Sequence, residues 1–267
     1  MIPEAFITEW KANAPWKNPY MVEQDLIISR GIVEIFSDPI LSEHLVFRGG
    51  TALHKLILPP AARYSEDIDL VQIKSGPIGP IFDRLRKIFE PLLGKTGREF
   101  GPGVVSLRYK TQSEIPPAVR LKLKIEINAR EHFSVMGIQE KPYSMDSKWF
   151  KGDCMIRTYT IEELLGTKLR ALYQRKKGRD IFDIWLAVTA GNADPEKVVM
   201  CFRQYMEKSG LTVSETEFRM NLDGKIYDPN FKGDLNNLLR EDFKFDFNDA
   251  VNLLDRKILP LLSKKHS

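Results

Sequence analysis

Two carboxylates separated by one residue, Asp67 and Asp69, follow a Gly49-Gly50-Thr51 triplet within the stretch FRGGTALHKLILPPAARYSEDIDLV. Side chains alternate across a β-strand. If Ser65–Val71 is a strand, Asp67 and Asp69 share one face while Ile68 and Leu70 take the other. Carboxylate oxygens so placed suit a divalent cation. The glycine pair lets a ligand approach the backbone closely, and Thr51 is of a type that caps a helix. The free N–H groups at a helix start suit an anion. An anion site beside a cation site points to a metal–triphosphate.

The elements that must position these groups can be read from the flanking pattern. Leu45, Val46 and Phe47 predict the end of a buried strand, and Leu53, Leu56 and Ile57 recur at helical spacing until Pro59-Pro60 stops the helix. From Arg120 to Asn128 the sequence RLKLKIEIN alternates strictly, with Leu121, Leu123, Ile125 and Ile127 on one face. That pattern predicts an antiparallel strand with one open face carrying Glu126. Glu126 becomes a third carboxylate of a metal cluster if this strand lies beside the Asp67 strand, and otherwise belongs to a solvated Lys/Glu ladder. Further on, Thr160 and Glu163 have the spacing of a capping box, each satisfying an orphan N–H of the other. The helix they open turns Leu164, Leu165, Leu169 and Leu172 inward and shows Lys168 and Arg175 on another face, and Gly178 is expected to end it. In the next helix Asp180 and Asp183 share a face, and Arg179 can pair with Asp183. The basic residues from Lys168 to Arg179 are either a solvated face held by ordinary salt bridges or part of a binding surface.

Around these, Met21–Phe36 and Ile81–Leu93 read as amphipathic helices, Gly94–Gly103 as turn-rich, and Val104–Lys110 as a strand. Residues 131–156 read as irregular connection with a short strand near Met155. The composition then turns helical, with a helix start at Asp194-Pro195, a capping box at Ser214/Glu217 and a final amphipathic helix over Phe247–Leu262. The expected division is 1–156 for the core with its N-terminal helices, and 157–267 for a helical C-terminal domain that contributes Lys168 and Asp183 to the site.

A chain of 267 residues with 43% hydrophobic content can bury a real core. The formal charge of +4 and pI near 8.9 allow a nucleic-acid or nucleotide partner without requiring one. Cys154 and Cys201 form no CxxC pair, which argues against a disulfide framework or structural zinc. His44, His54, His132 and His266 lack HxxxH spacing, which argues against a histidine metal centre. No stretch approaches ~20 uninterrupted apolar residues, so no membrane association and a cytoplasmic location are expected.

No GxxxxGK[ST] loop is present, and the conjunction of a GGT turn, a helix and a strand-borne DxD resembles the DNA-polymerase-β-like nucleotidyltransferase superfamily. RGGTALHKL and RYSEDIDLV, together with TIEELLGTKLRALYQRKKGRDIFDIW and the preceding MVEQDLIISRGIVEIFSDP, are similar to the AbiEii/AbiGii-type nucleotidyltransferase toxins over roughly residues 20–190. The resemblance implies an α+β fold, a mixed sheet flanked by helices and followed by a mainly helical region. It implies NTP as substrate, Mg²⁺ (two ions) held by Asp67 and Asp69 with Glu126 as a looser third, and phosphates on Gly49, Gly50 and Thr51. It places the family's triphosphate-contacting lysine on Lys168 and its later acid on Asp183. Gly50 stands where the family often has Ser, which leaves Thr51 to supply any hydroxyl. The expected acceptor is the 3′ end of tRNA, and a cognate antitoxin is the expected protein partner. Adenylylation of a protein or small molecule, and nucleotide binding without turnover, are the alternative readings.

Overall fold

A computed structural model of the chain describes residues 2–101 and 103–263, so His266 lies outside the described residues. The chain forms two compact units, one of residues 1–134 and 138–159, the other of residues 135–137 and 160–267.

The first unit opens with α1 (Glu4–Trp10), α2 (Pro19–Ser37) and α3 (Pro39–His44), the last capped by the Asp38 carboxylate accepting from the Ile40 and Leu41 N–H groups. Then come β1 (Leu45–Arg48), the short helix α4 (Gly49–Ala52) running on into a π-helical turn over Leu53–Ile57, and β2 (Asp67–Gln72). Next are α5 (Gly79–Leu93), β3 (Gly97–Gly101), β4 (Val104–Gln112), β5 (Arg120–Asn128), β6 (Ile138–Asp146) and β7 (Lys151–Tyr159). The strands make one seven-stranded sheet in the order β3-β4-β5-β2-β1-β7-β6. Pairing is antiparallel for β3–β4, β4–β5, β1–β2 and β6–β7 and parallel for β2–β5 and β1–β7. The sheet is therefore mixed, as expected, and β5 is antiparallel to one neighbour and parallel to the other.

Burial explains why α2 holds its place. Leu26, Ile28, Ile32 and Ile35 on α2, Leu45, Val46 and Phe47 on β1, and Ile68 on β2 are fully buried, as are Leu85 and Phe89 on α5. One charge is buried among them on purpose. Asp25 on α2 accepts from the indole N–H groups of Trp10 (2.9 Å) and Trp16 (3.2 Å) and from Lys55 Nζ (2.9 Å). Lys55, three residues past α4, is thereby an anchor of that segment to α2. Its ammonium loses solvation by burial, but the Asp25 charge, Tyr143 and the hydrogen bond to Asp25 together outweigh this and raise its pKa.

Three local expectations for this unit differ from the fold. Residues 131–156 hold most of a long hairpin, β6–β7, rather than irregular connection. β6 is an edge strand with Pro142, and mixed polar and aromatic residues on an exposed edge hide the period-2 signal. Gly97–Gly101 is a strand, though every residue of it is exposed, so no apolar alternation marks it. Helix α4 starts at Gly49 with Arg48 as its N-cap residue; Thr51 lies inside it and does not cap it.

The second unit is helical: α6 (Ile161–Gln174), α7 (Gly178–Thr189), α8 (Pro195–Glu207), α9 (Glu215–Ile226), α10 (Pro229–Gly233) and α11 (Phe247–Leu253), the last extended by π and 3₁₀ turns to Ser263. The Ser214/Glu217 capping box forms in full. At α6, Thr160 accepts from the Glu163 N–H, but Glu163 does not reciprocate. Its buried carboxylate accepts from the Val135 and Met136 N–H groups (2.8 Å each) and from the Tyr205 hydroxyl (2.9 Å), which ties residues 135–137 to this unit. Gly178 opens α7 instead of closing α6, and close packing requires a glycine there, since a Cβ would stand 2.1 Å from the Phe231 carbonyl oxygen.

Among the described residues no helix is long and apolar enough to cross a membrane. Gly166 is where α6 lies against α8: a Cβ at this position would meet the Cys201 Cβ at 2.5 Å and the Phe202 backbone nitrogen at 2.9 Å. Gly166→Ala is expected to lose about 1–3 kcal/mol of stability by forcing those helices apart. Urea denaturation monitored by circular dichroism checks it.

Candidate active site

In the first unit the site is set by register. Parallel pairing of β2 with β5 places Asp69 opposite Glu126 and Asp67 opposite Lys124. Ile68, Leu70, Ile125 and Ile127 are buried on the other face, so Asp67, Asp69 and Glu126 project from one side of two adjacent strands. β1 supplies the third wall, with Arg48 opposite Asp69.

The glycine turn is fitted to these acids. Gly49 has φ +81°, and a Cβ there would lie 2.1 Å from the Asp69 Oδ2. No side chain can occupy that space while the carboxylate stays where it is. At Gly50 a Cβ would lie 2.4 Å from a guanidinium nitrogen of Arg63 and 3.2 Å from the Ser65 Oγ. Arg63 is itself buried and donates to the Tyr64 carbonyl at 3.0 Å. Thr51 is buried too, and its hydroxyl donates to the Asp67 carbonyl (2.5 Å) and bonds the Ser65 hydroxyl (2.8 Å). The Thr51 side chain therefore fastens α4 to the start of β2. What this turn offers an anion is the N–H groups of its first residues, which a helix start leaves without intrahelical partners.

Two cations flank the carboxylates. Arg48 is ion-paired to Glu131 at 2.7 Å, and though burial opposes its charge, Glu131 and Asp69 together raise its pKa. Lys124 donates to Glu126 at 2.6 Å. Burial again works against the ammonium, but the Glu126 bond and the charges of Glu126, Asp67 and Asp69 outweigh it and raise the pKa. Among the described residues no three His, Cys, Asp or Glu side chains converge as a ready ligand set. The three carboxylates instead act on one lysine ammonium. Carboxylate oxygens are the donor type a hard divalent cation takes, and here their summed charge acts on the Lys124 ammonium.

In the second unit Lys168 sits on α6 with 10% of its side chain exposed, and its Nζ reaches Asp183 at 2.9 Å and Asp180 at 3.3 Å. Arg175 grips Asp180 with two bonds of 2.7 and 2.8 Å. Both carboxylates are wholly buried. Burial alone would raise the Asp180 pKa, yet Lys168 and Arg175 bring it below the ordinary carboxylate value. The other basic residues here are neutralised within the unit: Lys176 pairs with Asp228, while Lys177 (3.6 Å) and Arg179 (3.8 Å) pair with Asp234. Arg179 thus pairs with Asp234, not with Asp183 as the spacing alone suggested.

Sequence reasoning missed Lys124, Arg48 and Arg63. The signal for Lys124 was present, since it lies two residues before Glu126 on the same alternating face. Arg48 and Arg63 carry no period, and their roles come from β1 register and from the folded path of residues 58–66.

The structure is similar to MenT4, a nucleotidyltransferase toxin from Mycobacterium tuberculosis (TM-score 0.65, 15% identity, covering 100% of this chain and 91% of that one). It is also similar to a putative nucleotidyltransferase from H. pylori (TM-score 0.53, 17% identity, covering 94% and 100%). No curated protein sequence matches. Residues 31–253 match the family model described as nucleotidyl transferase AbiEii toxin, type IV TA system. The chain belongs to that family: it is a nucleotidyltransferase toxin of a type IV toxin–antitoxin system, which implies an NTP substrate and an antitoxin partner.

Two outcomes test the geometry. Gly49→Ala is expected to cost about 1–2 kcal/mol for the left-handed backbone alone and to weaken Mn²⁺ binding, measured by electron paramagnetic resonance, because the Asp69 carboxylate must swing away. Undiminished Mn²⁺ binding would remove Asp69 from the ligand set. For Lys168→Met the expected loss is about 3–5 kcal/mol, since two buried carboxylates are left short of a partner. The Asp180 carboxyl, depressed in the fold, contributes stability that is present above its unfolded pKa of about 3.9 and is lost as pH falls through the folded value. Removing Lys168 raises the folded value, so the acid limb of stability moves to higher pH. Urea titrations between pH 3 and 7 read both effects.

Proposed function

We propose that this chain transfers a nucleoside monophosphate from an NTP to the 3′-terminal hydroxyl of tRNA, with Mg²⁺, and so halts growth by blocking aminoacylation. The observation that carries the reading is the in-register placement of Asp69 beside Glu126, with Asp67 on the same face, against a glycine turn that admits no side chain. A hydroxyl, rather than a small molecule's amine or thiol, is the acceptor that the family chemistry uses, and the acceptor RNA is carried over from the resemblance set out above.

In this reading the N–H groups of Gly50 and Thr51 bind the outer phosphates, with the turn kept bare so that they can approach. Asp67, Asp69 and Glu126 hold the divalent ions, which when bound neutralise the triphosphate and steady the pyrophosphate that leaves. Lys124, whose ammonium these acids hold through Glu126, keeps their charge compensated before substrate arrives. Lys168 is assigned to the triphosphate and Asp183, at 2.9 Å, to holding its ammonium in place. The acceptor oxygen attacks the α-phosphorus, the α–β bridging bond breaks, and pyrophosphate departs.

Incubation with Mg²⁺, each labelled NTP and total tRNA is expected to label tRNA, and Asp69→Ala to reduce that label to background. Label on protein instead would move the acceptor to a protein hydroxyl. Nucleotide binding with no label on either would make the chain a regulator. Full activity in Asp69→Ala would sink the metal assignment.

A further inference from the structure

The polar face of β4 and β5 carries more positive charge than a sheet surface tolerates without cause. Register sets Lys110 directly opposite Lys122, Arg108 opposite Lys124, and Gln112 opposite Arg120. Like charges directly opposite on one face destabilise a strand pair. Lys110, Arg120 and Lys122 are exposed, and among the described residues none has a carboxylate within ion-pair distance. Arg108 pairs with Glu99 at 2.6 Å, a contact about half exposed on both sides. Arg108, Lys110, Arg120, Lys122 and Lys124 line an open cavity of about 590 Å³ whose acidic end is Glu66 and Asp67. The row therefore begins at the proposed catalytic carboxylates and leads away from them. Arg120, Lys122 and Lys124, alternate residues of β5, are spaced ~7 Å apart and extend for ~14 Å. By contrast, Lys168, Arg175, Lys176, Lys177 and Arg179 each lie within ion-pair distance of an acid.

We infer that this ladder is the track for the phosphate backbone of the acceptor: a single-stranded polynucleotide segment whose 3′ hydroxyl lies at Asp67, Asp69 and Glu126, with its preceding phosphates over Lys122, Lys110 and Arg120. The inference rests on the proposed nucleotidyl transfer to RNA. The contact is to charge and not to bases. Tyr109, the aromatic residue at the cavity, is buried at 1% exposure and presents no face for stacking, so binding along the ladder is independent of sequence. An anion on this face also relieves the opposition of Lys110 and Lys122, which explains why the strand pair keeps it.

The test compares wild type with Lys110→Ala/Arg120→Ala/Lys122→Ala and with Lys110→Arg/Lys122→Arg, none of these positions belonging to the catalytic set. Fluorescent single-stranded RNA and tRNA are titrated at several salt concentrations, NTP binding is measured separately, and label transfer to tRNA is followed. The alanine variant is expected to melt no lower than wild type. Its log–log salt slope for RNA should fall by about 2, at roughly 0.7 per neutralised charge, and its KM for tRNA should rise while NTP affinity stays unchanged. The arginine variant should bind RNA like wild type. If wild type labels tRNA and the alanine variant keeps its RNA affinity and slope, the ladder is overturned and the acceptor reading survives. If NTP affinity falls instead, the ladder belongs to the triphosphate and the inference is likewise overturned. If wild type labels no RNA, the acceptor reading fails and the ladder with it.

Discussion

The parallel pairing of β2 with β5 is the constraint on which the site depends. A shift of one residue would turn Glu126 to the buried face and bring Ile125 or Ile127 out beside Asp69. The register is held because Leu121, Leu123, Ile125 and Ile127 of β5 are all buried on the opposite face, so the slip would expose four large apolar side chains. At roughly 1.5–3 kcal/mol for each such side chain, the hydrophobic side of the sheet enforces the geometry of the acidic side. α2 adds a direct tie: Gln24 donates to the carbonyls of Glu66 (3.2 Å) and Lys122 (2.9 Å), linking the entries of both strands.

Bringing acids together requires cations, and the two units solve this differently. Around Asp67, Asp69 and Glu126 the cations come from neighbouring strands, Arg48 on β1 and Lys124 on β5, and the group remains part-exposed. Around Asp180 and Asp183 the acids are fully buried and Lys168 is nearly so, a tighter arrangement in which each charge depends on the others. The first kind can exchange partners with a ligand at modest cost. The second kind holds one lysine in a defined place, because Asp180 and Asp183 both lie within ion-pair distance of its ammonium.

The parts of the fold that were readable had a strong local cause. β5 was legible to the residue because four apolar and five polar side chains alternate without a break. α2 and α5 were legible by their apolar period, and the Thr160, Asp194 and Ser214 helix starts by their cap chemistry. The β6–β7 hairpin and β3 were not, since edge strands with polar or exposed positions lack the burial that writes a period into sequence. Thr51, Glu163 and Gly178 each have the residue type of a local motif, yet each answers to a distant partner: the Asp67 carbonyl, the amides of residues 135 and 136, and the Phe231 carbonyl.

By itself the sequence determined the chemical inventory: a bare glycine turn before a helix, two carboxylates on one strand face, a third acid on an alternating strand, and a lysine one helix ahead of two aspartates. Those follow from side-chain period and spacing, which are local. Only the tertiary structure decided that β5 lies parallel to β2 in the register that faces Glu126 with Asp69, and that Gly49 is needed to leave room for the Asp69 carboxylate. It also decided that Lys168, not Arg179, neutralises Asp183. Strand neighbours and buried ion-pair partners are chosen by which apolar faces must be covered, and that choice is made across the whole unit rather than within any one stretch of chain.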